Sequence, residues 1–216
     1  MRVLVVNPNG NPVVNALLRD AACRVLPAGV QALVLNPAGS PLSIETPADR
    51  AVAEPLALDL LLGHPGFDAY VMACFDDIAL APARRRIAAP VVGAVEASVA
   101  LARLISDRFA VVTTVETAVP GIRRVLSDLG AERQCTIRAA GIGVAAAADG
   151  SAADARLDAA IDAARRDGAG AIILGSAGLA GRAAEMEDRH GLPVIDAMEA
   201  AIRLAFAAGM RAAVTT

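Results

Sequence analysis

The feature that most constrains this chain is that its strand-like segments occur twice, in the same order. Val3-Leu4-Val5-Val6-Asn7-Pro8-Asn9 aligns with Phe109-Ala110-Val111-Val112-Thr113-Thr114-Val115. Ala69-Tyr70-Val71-Met72-Ala73-Cys74-Phe75 aligns with Ala171-Ile172-Ile173-Leu174-Gly175-Ser176-Ala177. Pro90-Val91-Val92-Gly93-Ala94-Val95-Glu96-Ala97 aligns with Pro193-Val194-Ile195-Asp196-Ala197-Met198-Glu199-Ala200. The offsets are 106, 102 and 103 residues. One match between short apolar runs is cheap; three in one order at nearly one spacing indicate duplication. A chain of 216 residues therefore reads as two similar halves of roughly 100 residues.

Within each half, short apolar runs alternate with helix-like stretches. The runs are Val3–Val6, Gln31–Leu35, Tyr70–Ala73, Pro90–Val95, Phe109–Thr113, Thr136–Ala139, Ala171–Leu174 and Pro193–Ile195. They are apolar on both faces, as strands of a covered parallel sheet should be. Val13 to Leu26 has amphipathic spacing, and Thr46-Pro47-Ala48-Asp49 reads as an N-cap opening a helix toward Leu62. Ser151 to Asp167 reads as a solvated helix ending at Gly168. The 51 alanines favour helix and leave core bulk to Val, Leu and Ile. The expectation is an α/β fold of two pseudo-symmetric parallel-sheet lobes facing each other across a cleft.

Composition removes several chemistries. All twenty basic residues are Arg, so neither a Schiff-base lysine nor a phosphate-loop lysine exists. A net charge of −3 and only five aromatic side chains argue against a nucleic-acid partner. No stretch reads as a transmembrane helix. Met1 runs straight into a strand, leaving no room for a signal peptide, so a cytoplasmic protein with reduced thiols is expected. His64 and His190 with Cys23, Cys74 and Cys135 show no ligand spacing, so no metal and no cofactor are expected.

Ligands of open α/β sheets bind beyond the carboxyl ends of the strands. The residues there are Asn7-Pro8-Asn9, Cys74-Phe75-Asp76-Asp77, Thr113-Thr114 and Ser176-Ala177-Gly178. Cys74 and Ser176 hold equivalent positions, which places them on opposite walls of one pocket. A thiol at a strand end followed by a helix start sits where backbone N–H groups favour the thiolate, and the alternative for Cys74 is a small buried hydrophobe. Cys23 and Cys135 read as structural. Asp76 and Asp77 are either caps of the helix after Cys74 or pocket carboxylates, and a carboxylate facing the thiol would disfavour the thiolate. Asn9 is either turn chemistry or an amide aimed at a substrate carbonyl. Thr113 and Thr114 are either ordinary strand residues or donors. The glycines around positions 141–143 and 175–181 lack dinucleotide-loop spacing, and His64 reads as a surface-loop residue.

Asn7-Pro8-Asn9, Ser43-Ile44-Glu45, Ala73-Cys74-Phe75-Asp76-Asp77, Pro90-Val91-Val92-Gly93 with Glu96-Ala97, Arg108 to Thr114, and Leu174-Gly175-Ser176-Ala177-Gly178 together resemble the aspartate/glutamate/hydantoin racemase family, most of all its hydantoin and allantoin racemases. The resemblance covers essentially the whole chain. It implies one lobe of residues 1–97 plus 198–216, a second of 98–197, and a cofactor-independent site between them. It also implies a homo-oligomer. In the family two thiols flank the substrate stereocentre and move its proton by a two-base route. Cys74 matches the first; the second falls on position 176, where this sequence has Ser. A serine hydroxyl is a far weaker acid and needs an activating base. Either the Ser is a change introduced to hold substrate without turnover, or it is native and the protein does one-sided proton chemistry.

The leading expectation is a racemase of a cyclic ureide, a 5-substituted hydantoin or allantoin, stalled by Ser176. Cys74 and Ser176 are its catalytic positions. Asn9, Thr113, Thr114 and the backbone of Phe75, Ala177 and Gly178 would hold the ring and take up enolate charge, with Ile44 as an apolar wall. A second expectation is a single-thiol decarboxylase or isomerase of a small dicarboxylate. It ranks lower because Arg84 to Arg86, Arg108 and Arg182 look like surface residues. A binding protein without turnover is the third.

Overall fold

A computed structural model describes residues 1–143, 146–147 and 154–213 of the chain. In the first half β1 (Arg2–Val6), α1 (Pro12–Val25), β2 (Gln31–Leu35), α2 (Pro47–Leu62), β3 (Ala69–Met72), α3 (Leu80–Arg84), β4 (Val91–Gly93) and α4 (Ala94–Ile105) follow in order. In the second, β5 (Phe109–Thr113), α5 (Val119–Asp128), β6 (Cys135–Ala139), α6 (Asp154–Arg166), β7 (Ile172–Leu174), α7 (Ala183–His190), β8 (Val194–Asp196) and α8 (Ala197–Ala213) repeat the pattern. Each half builds one four-stranded parallel sheet, in the order β2-β1-β3-β4 and β6-β5-β7-β8. Identical strand order in both sheets is what the repeat demands.

All eight expected strands form, with small shifts at their ends. The run Pro90–Val95 stops early, because Gly93 already caps α4. Being covered on both faces holds for the central strands and for the edge strand β8 but not for the edge strands β2 and β6: most of β2 is exposed, whereas β5 and β8 are buried throughout. The capping box at Thr46 is present, with its hydroxyl accepting from Asp49 N–H and the Asp49 carboxylate receiving Thr46 N–H at 2.9 Å. The helix expected from Ser151 is seen over Asp154–Arg166; Ser151 to Ala153 lie outside the described residues.

Alternation along the strands divides the interior into three layers. Val3, Val5 and Val71 of one sheet and Val111, Ile173 and Ile195 of the other face a shared middle core. Val95 and Val99 of α4 and Met198, Ile202 and Ala205 of α8 belong to that core too. The opposite strand faces meet separate outer cores, Leu4, Val6 and Met72 with α2 and α3, and Val112, Ile172 and Leu174 with α6 and α7. The last helix packs on α4, α1 and β3 of the first half. Small residues permit that approach: a Cβ on Gly209 would lie 3.2 Å from the Ala69 Cβ. Burying apolar side chains from both sheets in one core, at about 25 cal/mol per Å², fixes how the strand ends face each other.

Candidate active site

In each sheet the chain leaves the first strand toward one edge and returns on its other side, so β1/β3 and β5/β7 are switch points. A cleft of about 340 Å³ opens across both, lined by the residues that follow these four strands. Cys74 and Ser176 both line it, as do Asn9, Ile44, Phe75, Thr113, Thr114 and Ala177. Gly178 does not. Its N–H donates to Ser176 Oγ at 3.3 Å, because the serine caps its own following turn, Ala177–Leu179.

The surroundings of Cys74 differ from expectation. No helix begins behind it; α3 starts only at Leu80, and Asp77 and Ala79 take left-handed conformations on the way. Burial pushes the Cys74 thiol up to about 12, with the Asp77 carboxylate adding to the shift and Arg50 opposing it. On the order of one thiol in 10⁵ is then ionised at pH 7. Asp77 does not cap a helix after Cys74. Its carboxylate reaches across to α4, accepting Val95 N–H at 2.9 Å and Glu96 N–H at 3.0 Å, and burial raises its own pKa to about 7. Asp76 does line the cleft, paired with Arg50 and, at 3.9 Å, with Arg124.

Two side-chain roles are narrower than expected. The Thr113 hydroxyl donates to the Gly175 carbonyl at 2.9 Å, so its proton is already committed. Ser176 is 7% exposed, and no His or carboxylate is bonded to its Oγ among the described residues, so nothing activates it. Phe75 packs its ring on Gly175, where a Cβ would lie 2.8 Å from the ring and 2.6 Å from Val111 Cγ1. This contact joins the two lobes at the cleft floor. The backbone N–H groups of Phe75 and Ala177 meet no protein acceptor among the described residues, which leaves a free donor on each lobe.

Sequence reasoning missed the charged end of the cleft. Arg50 and Arg124 line it, yet Arg50 sits at the start of α2 and Arg124 within α5, with no motif to distinguish them from solvated arginines. Arg182, read as a surface residue, is in fact largely buried and paired with Asp154. His64 lies at the end of α2, its Nδ1 2.8 Å from the Leu60 carbonyl. Cys135 is buried, and neither it nor Cys23 reaches the cleft. Among the described residues no cluster of His, Cys, Asp and Glu is placed to hold a metal ion, and no helix is long and apolar enough to cross a membrane.

Twin parallel sheets, a thiol at one switch point and a hydroxyl at its counterpart define a class of two-lobed α/β protein with a shared interlobe site. The chain belongs to the Asp/Glu/hydantoin racemase family, whose model matches residues 3–205. It is similar to the hydantoin racemase of Rhizobium meliloti, at 39% identity over 95% of this chain and 87% of that protein. The hydantoin racemase of Paenarthrobacter aurescens is 33% identical over 95% of this chain and 89% of its own length. Among solved structures, an allantoin racemase from Klebsiella pneumoniae superposes with a TM-score of 0.91 at 32% identity, covering 96% of this chain and 86% of that one.

Proposed function

We propose that this protein handles the proton on the C5 stereocentre of a five-membered cyclic ureide, a 5-substituted hydantoin or allantoin, without a cofactor. The observation that carries the reading is the pairing of Cys74 and Ser176 at equivalent strand ends of two sheets of identical order, both lining one cleft. The names of the relatives supply the substrate class.

Inverting a stereocentre requires a base on one face and an acid on the other, exchanging roles with direction. Two thiols sharing one ionisation meet that need. Here the small ionised fraction of Cys74 is the one base, and the serine hydroxyl opposite it is too weak an acid to deliver a proton and too weak a base to remove one. Racemisation by this chain is therefore expected to be negligible, with Cys74 exchanging C5–H on its own face and returning it there. The Phe75 and Ala177 N–H groups bind the ring oxygens and take up enolate charge. Incubating each enantiomer of 5-methylhydantoin in D₂O, with chiral separation and mass analysis, tests this reading. Deuterium uptake without inversion by the chain, and inversion by Ser176→Cys, are expected; brisk inversion by the unaltered chain would overturn it.

A second reading has one specific observation in its favour. Arg50 and Arg124 in the cleft are the cations that a small dicarboxylate would need, and a single thiol suffices to protonate the carbanion left by decarboxylation. Asp76 pairs with both arginines and Glu54 with Arg50, which offsets this positive charge and ranks the ureide first. Competition by malonate but not by hydantoin would reverse the order.

A further inference from the structure

Five asparagines cluster behind the cleft, and backbone donors settle which way their amides point. The N–H of Asn11 lies 3.0 Å from the outer side-chain atom of Asn9. A backbone N–H only donates, so that atom is Oδ1. The N–H of Asn9 meets Asn7 at 3.2 Å and in the same way identifies Asn7 Oδ1. What Asn7 presents to Asn9 Oδ1 at 3.0 Å and to Asn15 Oδ1 at 2.9 Å is therefore its Nδ2, with each proton used. Asn15 in turn donates from Nδ2 to Asn36 Oδ1 on the segment after β2. Asn7 is wholly buried, and Asn9 is 7% exposed and lines the cleft.

The consequence falls on Asn9. Its oxygen accepts from Asn7 and Asn11, while its Nδ2 has no acceptor among the described residues and is not sealed in the interior. An amide that accepts two hydrogen bonds is polarised and donates more strongly from its nitrogen. We propose that Asn7 is a positioning residue that locks Asn9 as a one-way donor, so that the lobe-one wall recognises an acceptor oxygen of the ligand. Resting on the ureide reading, that oxygen is the ring carbonyl beside C5, which becomes the enolate oxygen when the C5 proton leaves. The ring N–H on the other side of C5 would face a donor and be refused. The repeat supports the asymmetry. Thr113 stands where Asn7 does and spends its hydroxyl on Gly175, and Val115 stands where Asn9 does and offers no side-chain donor.

Side-chain amide NMR on the ¹⁵N-labelled full chain tests this without turnover. In the ligand-free protein the Asn7 Nδ2 protons are expected to exchange with solvent at least tenfold more slowly than those of Asn9, whose signals are identified by their loss in Asn9→Ala. Equal rates, or the reverse order, would overturn the locked orientation. The probe is 5,5-dimethylhydantoin, which has no C5 proton to remove. It is expected to shift the Asn9 amide signals, and Asn7→Asp, which is isosteric but places an acceptor against Asn9 Oδ1, to weaken binding about tenfold. A ring that moves the Thr114 and Ala177 backbone signals but not Asn9 would sink the donor role. A ring that moves no cleft signal would sink the ureide class instead, and the exchange order would still decide the orientation.

Discussion

The two lobes share strand order and pairing, yet their walls of the cleft differ residue by residue. In the first, Cys74 carries a thiol, Asn7 and Asn9 present an amide donor, and Ala73 precedes the thiol. In the second, the same places hold Ser176, Thr113, Val115 and Gly175. Helix capping differs too. Asp196 ends β8 and caps α8, receiving Met198 N–H at 2.9 Å and Glu199 N–H at 3.1 Å. Its counterpart is Gly93, and the space of the missing side chain is filled by the Asp77 carboxylate, 2.5 Å from where a Gly93 Cβ would stand. One helix end thus receives the same carboxylate from two different places in the chain. A duplicated backbone constrains where a charge is needed, and leaves open which residue delivers it.

The largest expected effect comes from moving the thiol between walls. The double change Cys74→Ser with Ser176→Cys should transfer deuterium exchange to the opposite enantiomer, with a preference of about 10²-fold or more, read by chiral chromatography and mass. Unchanged preference would mean the walls are not opposed. Next is the pH profile of the unaltered chain. With the thiol near 12, the thiolate fraction and the exchange rate should rise about tenfold per unit from pH 7 to 10. Levelling off above about pH 9 would show an unshifted thiol.

Smaller effects concern packing and caps. Gly175→Ala should cost about 1–3 kcal/mol in denaturant melts, since its Cβ meets Phe75 and Val111. The equivalent Ala73→Gly should cost only about 0.5–1 kcal/mol. Asp196→Ala, which uncaps α8, should cost about 1 kcal/mol, and equal loss at a remote surface carboxylate would remove the capping account. Last, Asp77→Asn should lower the Cys74 thiol pKa, because Asp77 is one of the groups holding it up; the pH dependence of thiol alkylation should move to lower pH.

Stability linkage at Asp77 has a definite sign. Its folded pKa of about 7 lies well above the ordinary carboxylate value, so the folded state holds the proton more tightly. That contribution is fully present below about pH 4 and is lost as pH rises through 7. Asp77→Asn removes this part of the pH dependence.

Much of the fold was legible because its signals are local. Every strand run appears, and Thr46 with Asp49 caps α2 as its spacing requires. The site was legible only where it follows from strand ends. Cys74, Asn9, Thr114 and Ala177 are there because parallel strands deliver their C-terminal neighbours to one edge. Arg50 and Arg124 were illegible because their helices reach the cleft only through packing. The expected helix behind Cys74 failed because Asp77 bonds residues 18 and 19 positions away, and no sequence window contains that partner.

By itself, the sequence determined the duplication, the parallel α/β halves and the absence of lysine chemistry, since these rest on repeats, periodicity and composition. Tertiary structure alone decided that burial pushes the Cys74 thiol's pKa up, that the Asn9 amide points nitrogen-first at the cleft, and that Gly178 is spent on Ser176. Each of those depends on which dipoles and charges lie within a few ångströms, and that distance is set by the shared core, not by order along the chain.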